Sequence, residues 1–82
     1  MMTPQLRLLP LREISVRVRN GTPHTIGTPP QAVLDAIGPW RINDGWFADA
    51  TVRDEYDVLL EDGVLYRIYR QQQRWYVRGM YD

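Results

Sequence analysis

Residues 38–82 read GPWRINDGWFADATVRDEYDVLLEDGVLYRIYRQQQRWYVRGMYD and hold all three tryptophans and all five tyrosines of the chain, interleaved with arginines. Within this stretch, residues 54–60, 65–70 and 75–81 are rich in aromatic and β-branched side chains. They are separated by Asp62-Gly63 and by the polar run 71–74. Short segments of this kind, bounded by turn residues, are typical of an antiparallel meander. Residues 40–42 predict a further brief strand.

The Asp62-Gly63 pair predicts a two-residue hairpin, because both residue types tolerate the positive φ angles of such turns. This turn fixes an expected register between the two flanking strands. The predicted pairs are Leu60 with Leu65, Val58 with Arg67 and Tyr56 with Tyr69.

Upstream of this stretch, Ile14, Val16 and Val18 alternate with polar residues, which predicts a half-buried strand. Asn20-Gly21 follows at once and predicts a type I′ hairpin turn. The return strand, residues 22–26, contains Pro23. Because proline cannot donate to a β-ladder, we expect this strand to be short and at an edge of the sheet.

Residues 31–37 predict the one helix of the chain. Thr28 would cap it with Pro29 at its first position, and Gly38 would end it. The apolar side chains of Val33, Leu34 and Ile37 would then share one helical face. A helix of two turns depends on tertiary packing for its stability.

Together these elements predict a mainly β (α+β) protein, with a small antiparallel sheet or open barrel of five to six strands and one short helix. Residues 1–12, which contain Pro4 and Pro10, are expected to form an extended lead-in, and residues 13–82 a single small β-rich domain. The expected core aromatic residues are Trp40, Trp46, Tyr56 and Trp75.

The composition limits the classes of function. The 82 residues include ten arginines, no lysine, ten acidic residues and no cysteine, so the net charge is zero. The lack of cysteine excludes disulfides, thiolate catalysis and cysteine metal sites. A zero net charge gives no overall attraction to nucleic acid or anionic lipid.

The sequence offers no set of residues typical of catalysis. His24 is the only histidine and Ser15 the only serine, so neither a metal site nor a nucleophile–base pair is expected. Asp54, Glu55 and Asp57 are interpreted as solvated edge charges paired with Arg70 or Arg53. We therefore expect no enzyme activity, no metal and no cofactor.

A sheet surface of arginines and aromatic residues can bind a protein partner, or it can stack the bases of single-stranded nucleic acid. The candidate residues for either partner, expected to be exposed, are Arg67, Tyr69, Arg70 and Arg78.

The same motifs resemble a known family. Gly38-Pro39-Trp40-Arg41, Trp46-Phe47, Arg53-Asp54-x-Tyr56, Asp62-Gly63, Tyr66-Arg67-x-Tyr69-Arg70 and Trp75-x-x-x-Gly79-x-Tyr81-Asp82 resemble the C-terminal domain of ImuB-type proteins. Those proteins are catalytically inactive relatives of Y-family DNA polymerases. The resemblance extends over nearly the whole chain and is most specific in residues 38–82. Arg78 stands where the family commonly has histidine, Phe47 replaces a tryptophan, and residues 27–37 match poorly.

The resemblance implies an adaptor in bacterial DNA damage-induced mutagenesis, that is, in translesion synthesis. The implied partners are the sliding clamp, a RecA-like protein and an error-prone polymerase. Within the lead-in, Gln5, Leu6, Leu8 and Leu9 resemble a clamp-binding peptide, in which an extended segment places apolar side chains into preformed pockets.

The sequence thus predicts a non-enzymatic protein-interaction module, with single-stranded DNA binding as the alternative. No apolar run approaches the length of a membrane span, and the N-terminal residues lack the pattern of a secretion signal. We therefore expect a cytoplasmic protein that does not engage the membrane.

Overall fold

The computed structural model describes residues 5–43 and 52–81, which form seven β-strands. Every pairing between them is antiparallel, in the order β1-β7-β6-β5-β4-β3-β2. The fold is mainly β, as predicted, with one strand more than the upper expected number. The strands are β1 (Leu6–Ile14), β2 (Val16–Arg19), β3 (Thr22–Ile26), β4 (Gln31–Asn43), β5 (Val52–Leu60), β6 (Leu65–Gln71) and β7 (Arg74–Tyr81).

The sheet is curled because its two end strands are consecutive in the chain. Only Ser15 separates β1 from β2, yet they occupy opposite ends of the strand order. The sheet must therefore bend round until its ends meet at this residue. A hydrogen bond of 2.9 Å from the Gly27 N–H to the Ser15 carbonyl lies at this junction. The prediction of a small antiparallel sheet or open barrel is therefore met by an open, curled antiparallel sheet.

Strand β4 is long enough to follow the bend. Its first residues, Gln31 and Ala32, pair with β3, and residues 33–43 pair with β5. Residues 6–12, expected as an extended lead-in, belong to β1 and pair with β7. The N-terminal segment is thus part of the sheet.

The predicted helix over residues 31–37 is wrong, because these residues form the first half of β4. Gln31 and Ala32 pair with β3 and the following residues pair with β5, which gives the segment backbone partners, whereas an isolated two-turn helix is marginal. Val33 and Ala36 pack against the core, but Leu34 and Ile37 are exposed. A register shift between Val33 and Asp35 breaks the alternation that would have identified a strand. Within residues 5–43 and 52–81 no helix is long and apolar enough to cross a membrane.

The first hairpin confirms the predicted turn. Asn20 has φ 52° and Gly21 has φ 78°, as a type I′ turn requires. The prediction that the return strand lies at an edge is wrong, because β3 lies between β2 and β4. Pro23 is accommodated because β4 pairs only with Thr25 and Ile26, and because the β2 ladder is irregular beside it.

The hairpin between β5 and β6 differs from the predicted one by one residue. The Gly63 N–H donates to the Leu60 carbonyl at 2.9 Å, and the Leu60 N–H donates to the Val64 carbonyl at 3.1 Å. With Gly63 at φ 82°, this is a three-residue loop made of a type I turn and one left-handed residue. The predicted two-residue turn is therefore wrong. The observed pairs are Leu59–Leu65, Val58–Tyr66, Asp57–Arg67, Tyr56–Ile68 and Glu55–Tyr69.

This difference of one residue decides which side chains share a face. Tyr56 now lies beside Ile68 instead of Tyr69, and Asp57 lies beside Arg67 instead of Ile68. Between Tyr56 and Val58 the apolar pairs Tyr56–Ile68 and Val58–Tyr66 therefore share one face, and the pairs Glu55–Tyr69 and Asp57–Arg67 share the other. The predicted register would have placed Val58 opposite Arg67 and Asp57 opposite Ile68.

The core fills the inside of the curl. Val58 and Ile68 are 0% and 1% exposed, and the rings of Tyr56 and Trp75 lie 5.4 Å apart. The predictions of core positions for Tyr56 and Trp75 are confirmed. Trp40 is 42% exposed, so the prediction for this residue is wrong, and Trp46 lies outside the described residues. The buried core residues are Ile26, Tyr56, Val58, Leu60, Ile68 and Trp75.

Candidate functional site

The face of the sheet opposite the core, called here the outer face, carries charged and aromatic side chains. On β5 and β6 they alternate with the core positions, as the period of a strand requires. Pairing then aligns them across neighbouring strands, with Glu55 next to Tyr69 and Tyr69 next to Tyr76. The main residues of the outer face are Trp40, Arg53, Glu55, Asp57, Arg67, Tyr69, Tyr76, Arg78 and Tyr81.

Glu55 lies at the centre of this face and is only 2% exposed. Its carboxylate accepts a hydrogen bond of 2.8 Å from Arg53 Nε. Arg67 Nε lies 3.8 Å and Arg78 Nη1 4.0 Å from its oxygens. The expected pairing with Arg53 is confirmed, but Glu55 is buried and not a solvated edge charge. A buried carboxylate needs such compensation, because desolvating an unpaired charge is very costly.

Asp57 forms the second ion pair of the outer face. Arg67 donates to both of its oxygens, at 2.8 and 3.0 Å, and the Tyr81 hydroxyl lies 3.2 Å from each. This two-bond geometry fixes the guanidinium plane. The hydrogen bond to Asp57 raises the pKa of Arg67, with burial acting against it. We call Arg53, Glu55, Asp57, Arg67 and Arg78 the arginine–carboxylate cluster.

Aromatic rings flank the cluster. The Arg67 guanidinium carbon lies 5.2 Å from the Trp40 ring centre and 5.9 Å from that of Tyr81. Tyr69 stacks on Tyr76 with ring centres 5.2 Å apart and planes inclined by 25°. These distances are those of cation–π and stacking contacts. The rings and the guanidinium groups therefore hold one another in place.

The structure brings together three of the four predicted contact residues. Arg67, Tyr69 and Arg78 lie on the outer face and are half-buried, whereas Arg70 is exposed on the core side of the sheet. Its guanidinium carbon lies 5.9 Å from the Trp75 ring centre. Arg67 and Tyr69 share a face because they are two residues apart, and Arg70, one residue further on, points to the other side.

Sequence reasoning missed Glu55 and Trp40 as members of this surface. The sequence did contain a signal for Glu55. It alternates with Arg53 and Asp57 along a strand, and side chains at alternate positions of a strand lie on the same face. No local signal brings Trp40 to this face. It lies there because β4 pairs with β5 and sets Trp40 opposite Glu55.

The predicted clamp-binding residues lie at one side of the outer face. Gln5 precedes β1, and Leu6 and Leu8 pair with Tyr81 and Gly79. Leu8 is 65% exposed, while Leu6 and Leu9 are half-buried. The segment is extended, as a clamp-binding peptide must be, and it is already paired with β7 along one of its two edges. Its binding to a clamp stays a prediction. A shallow depression of about 240 Å³ lies here, lined by Leu8, Leu9, Leu11, Tyr69, Val77 and Arg78.

The geometry of the carboxylates bears on the chemistry available. Glu55 and Asp57 both accept hydrogen bonds from arginine, so their oxygens are already directed at cations of the protein itself. Among the residues that the structure describes, no three side chains of histidine, aspartate or glutamate are grouped so as to hold a metal ion. What this face offers is a rigid pattern of guanidinium groups and rings.

Stability should fall at alkaline pH because three tyrosines have raised pKa values. Burial is the first cause for Tyr56, Tyr66 and Tyr81, and a nearby carboxylate adds to it in each case. The folded state thus holds these protons more tightly than the unfolded state, whose tyrosines titrate near about 10. Their contribution is complete below that pH and is lost as the pH rises through the raised values.

Urea unfolding between about pH 8 and about pH 11 measures this effect. We expect the free energy of unfolding to decline above about pH 10, and Tyr81→Phe to make the decline shallower. A free energy that stays constant or rises over this range would contradict the expectation.

The motifs that carry the resemblance to the ImuB-type domain now have positions. Residues 38–41 lie in β4, residues 53–56 in β5, residues 66–70 in β6 and residues 75–81 in β7. Trp46-Phe47 and Asp82 lie outside the described residues. Comparisons with models of known protein families, with curated proteins and with solved structures find no match to this chain. The resemblance stays a prediction.

Proposed function

We propose that this protein is a non-enzymatic interaction module that binds a protein partner through its outer face. In the setting that the resemblance implies, it is a cytoplasmic adaptor in bacterial translesion synthesis. The candidate partners are the sliding clamp, a RecA-like protein and an error-prone polymerase. The observation that supports binding of a protein most directly is the arginine–carboxylate cluster with the aromatic rings around it.

The residue types of this face are those that dominate protein–protein binding energy. Tryptophan, tyrosine and arginine are enriched at hot spots, where they lie near the centre of an interface. Here Arg67 is fixed by Asp57 and by the Trp40 ring. Because these side chains are already ordered, a partner binds them at a smaller cost in conformational entropy.

The charge balance of the cluster also favours a protein partner. Three arginines stand beside two carboxylates, so the cluster has one net positive charge. Phosphate binding depends on guanidinium groups that can neutralise phosphates, whereas Arg67 directs two donors at Asp57. A nearly neutral, aromatic surface suits a mixed polar and apolar protein surface better. Exposed Leu8 and Leu11 on β1 extend it with apolar area.

Single-stranded DNA remains the second candidate because of one observation. Tyr69 and Tyr76 are stacked and half-exposed on the outer face, close to the partly exposed Arg78. Such a pair offers a platform for a base, with a cation nearby for the backbone. The two candidates differ in their dependence on salt, which is steep when phosphates are bound.

A pair of arginine variants tests the proposal. The chain is titrated with each purified candidate partner and with a single-stranded oligonucleotide, by calorimetry at two salt concentrations. Arg78→Ala should weaken binding of the protein partner by about tenfold, since hot-spot truncations cost more than about 1 kcal/mol. Arg70→Ala is the matched control on the other side of the sheet and should leave the affinity unchanged.

Equal losses in the two variants would contradict binding through the outer face. Binding of the oligonucleotide alone, with a steep salt dependence, would favour the second candidate. Leu8→Ala distinguishes the clamp from the other partners, because its side chain belongs to the predicted clamp-binding peptide and is exposed.

A further inference from the structure

Strand β7 carries an extra residue, Arg78, in its pairing with β6. Gly79 and Val77 pair with two consecutive residues of that strand, Arg67 and Ile68. Arg78, between them, therefore has no counterpart on β6. An extra residue of this kind forms a β-bulge, which changes the direction of a side chain and is common beside functional sites. The bulge distinguishes Arg78 from the other arginines of the arginine–carboxylate cluster.

Strand β1 is irregular at the same point. Between two pairs with β7, it has three residues, 9–11, where β7 has only Arg78. The pairs on either side are Leu8–Gly79 and Arg12–Val77. The shallow depression of about 240 Å³ on the outer face lies where these two irregular stretches meet.

The wall of this depression is apolar and accessible. Leu8 and Leu11 on β1 are 65% and 73% exposed, while Val77 and Tyr69 are half-buried. The volume is below the range of about 300–1,000 Å³ that is usual for small-molecule sites. Its size therefore suits a single apolar side chain of a partner.

Arg78 supplies the charge that borders the depression. Its side chain is 40% exposed, and its Nη1 atom lies 4.0 Å from Glu55 Oε2, which is too far for a hydrogen bond. That oxygen already accepts from Arg53 at 2.8 Å. Within residues 5–43 and 52–81 the Arg78 guanidinium makes no hydrogen bond. A carboxylate of a partner could accept two of its N–H groups side by side.

We propose that the depression binds an extended segment of the protein partner that presents a carboxylate to Arg78 and a large apolar side chain to Leu8 and Leu11. Because β1 is the end strand of the described sheet, such a segment can lie along it. The two side chains come from positions i and i+2, since alternate residues of an extended segment point to the same side. This inference rests on the proposed function, because it names what the partner presents to one end of the outer face.

The surroundings of Arg78 favour a carboxylate over a nucleic acid backbone. A nucleic acid strand is held by several cations along its phosphates. Here one accessible guanidinium is flanked by exposed leucines, and Arg53 and Arg67 already donate to carboxylates of the protein.

Three tripeptides, capped at both ends, provide matched probes: Asp-Gly-Leu, Asn-Gly-Leu and Asp-Gly-Ala. In an NMR titration at low salt, Asp-Gly-Leu should saturate and shift the methyl groups of Leu8, Leu11 and Val77 and the Nε–H of Arg78. It should bind about tenfold more tightly than Asn-Gly-Leu, the lower end of what a hydrogen bond to a charged group contributes. Asp-Gly-Ala, which lacks the large apolar side chain, should also bind more weakly.

Three variants complete the test. Arg78→Gln removes the charge, so the preference for Asp-Gly-Leu over Asn-Gly-Leu should disappear. Leu11→Ser should weaken binding of both leucine peptides and keep the preference. Arg70→Gln, on the core side of the sheet, is the control and should change neither. The amide spectrum shows whether each variant is folded, and the exposed position of Leu11 keeps the test decisive if Arg78→Gln does not fold.

Four results would overturn the inference. They are the absence of saturable shifts with Asp-Gly-Leu, equal affinities for the aspartate and asparagine peptides, an unchanged affinity in Leu11→Ser, and tighter binding of thymidine monophosphate at the same residues. If no peptide binds but Arg78→Ala still weakens binding of the protein partner selectively, this inference alone fails. Equal losses of partner affinity in Arg78→Ala and Arg70→Ala contradict the proposed function itself.

Discussion

Replacement of Glu55 by alanine is expected to lower the free energy of unfolding by about 3–5 kcal/mol, the usual cost of removing one partner of a buried ion pair. The carboxylate is 2% exposed and lies beside the guanidinium groups of Arg53, Arg67 and Arg78. Without it, these three partly buried or partly exposed guanidinium groups lose the carboxylate that lies near all of them. Their mutual repulsion is then added to the loss of the hydrogen bond to Arg53.

Urea unfolding of the variant and of two comparison variants measures this cost. Glu55→Gln keeps an oxygen that can accept from Arg53 but removes the charge, so we expect an intermediate loss. Glu13→Ala is the control, because Glu13 is exposed and 3.9 Å from Arg74. Exposed pairs contribute about 0–1 kcal/mol. A loss for Glu55→Ala as small as that for Glu13→Ala would show that the arginine–carboxylate cluster does not stabilise the fold.

Gly79→Ala is expected to cost about 2–3 kcal/mol and to loosen β1 selectively. A Cβ atom at this position would collide with the Arg7 carbonyl oxygen and would lie 3.0 Å from Leu6 Cδ1. The obstacle is the backbone of the neighbouring strand, which cannot rotate away as a side chain would. The strand β1 must therefore move off β7. A glycine at this position therefore permits the close approach of the two backbones.

Amide hydrogen exchange locates the effect. Protection should fall along β1 in Gly79→Ala, while the β5–β6 hairpin keeps its protection. Gly63→Ala is the control: its φ of 82° strains any other residue, but nothing lies within 4 Å of the added atom. Its cost should be about 1–2 kcal/mol, with β1 still protected. Equal protection of β1 in the two variants would contradict the account.

Short-range signals predicted the local elements well. Asn20-Gly21 gave the first hairpin because positive φ at two successive residues is a property of those residues alone. The aromatic segments of β6 and β7 gave strands for the same kind of reason. The alternation of Ile14, Val16 and Val18 gave extended structure, but the single strand predicted there is divided at Ser15, with Ile14 in β1 and Val16 and Val18 in β2. Such signals require no knowledge of which strand lies next to which.

The errors arose where pairing between distant residues decides the structure. Residues 31–37 have helical spacing, and only the pairing of β4 with β3 and β5 makes them a strand. The register of β5 and β6 depended on whether Gly63 ends a two-residue or a three-residue loop, a choice that the local sequence does not determine. Trp40 lies in the second half of β4, whereas the residues of β4 that pack on the core, Val33 and Ala36, lie in the first half.

The candidate site was predicted in part for the same reasons. Arg67, Tyr69 and Arg78 were placed on one surface, and the structure has them there. Arg70 was included because it is close in sequence, but the alternation of the strand puts it on the other side. Burial of Glu55 could not be predicted, since it depends on side chains from three strands converging on one carboxylate.

The meeting of β1 and β2 at Ser15 has a consequence for the order in which the protein can fold. Strand β1 precedes all the other described strands, and it pairs with β7, the last of them, from Leu6 opposite Tyr81 to Ile14 opposite Trp75. During synthesis it has no partner until the chain has been made through residue 81. Contacts between such distant residues form late, because the entropy of closing a long loop must be overcome first. The nascent chain therefore displays the segment around Leu6, Leu8 and Leu9 without its partner strand until synthesis has passed Tyr81.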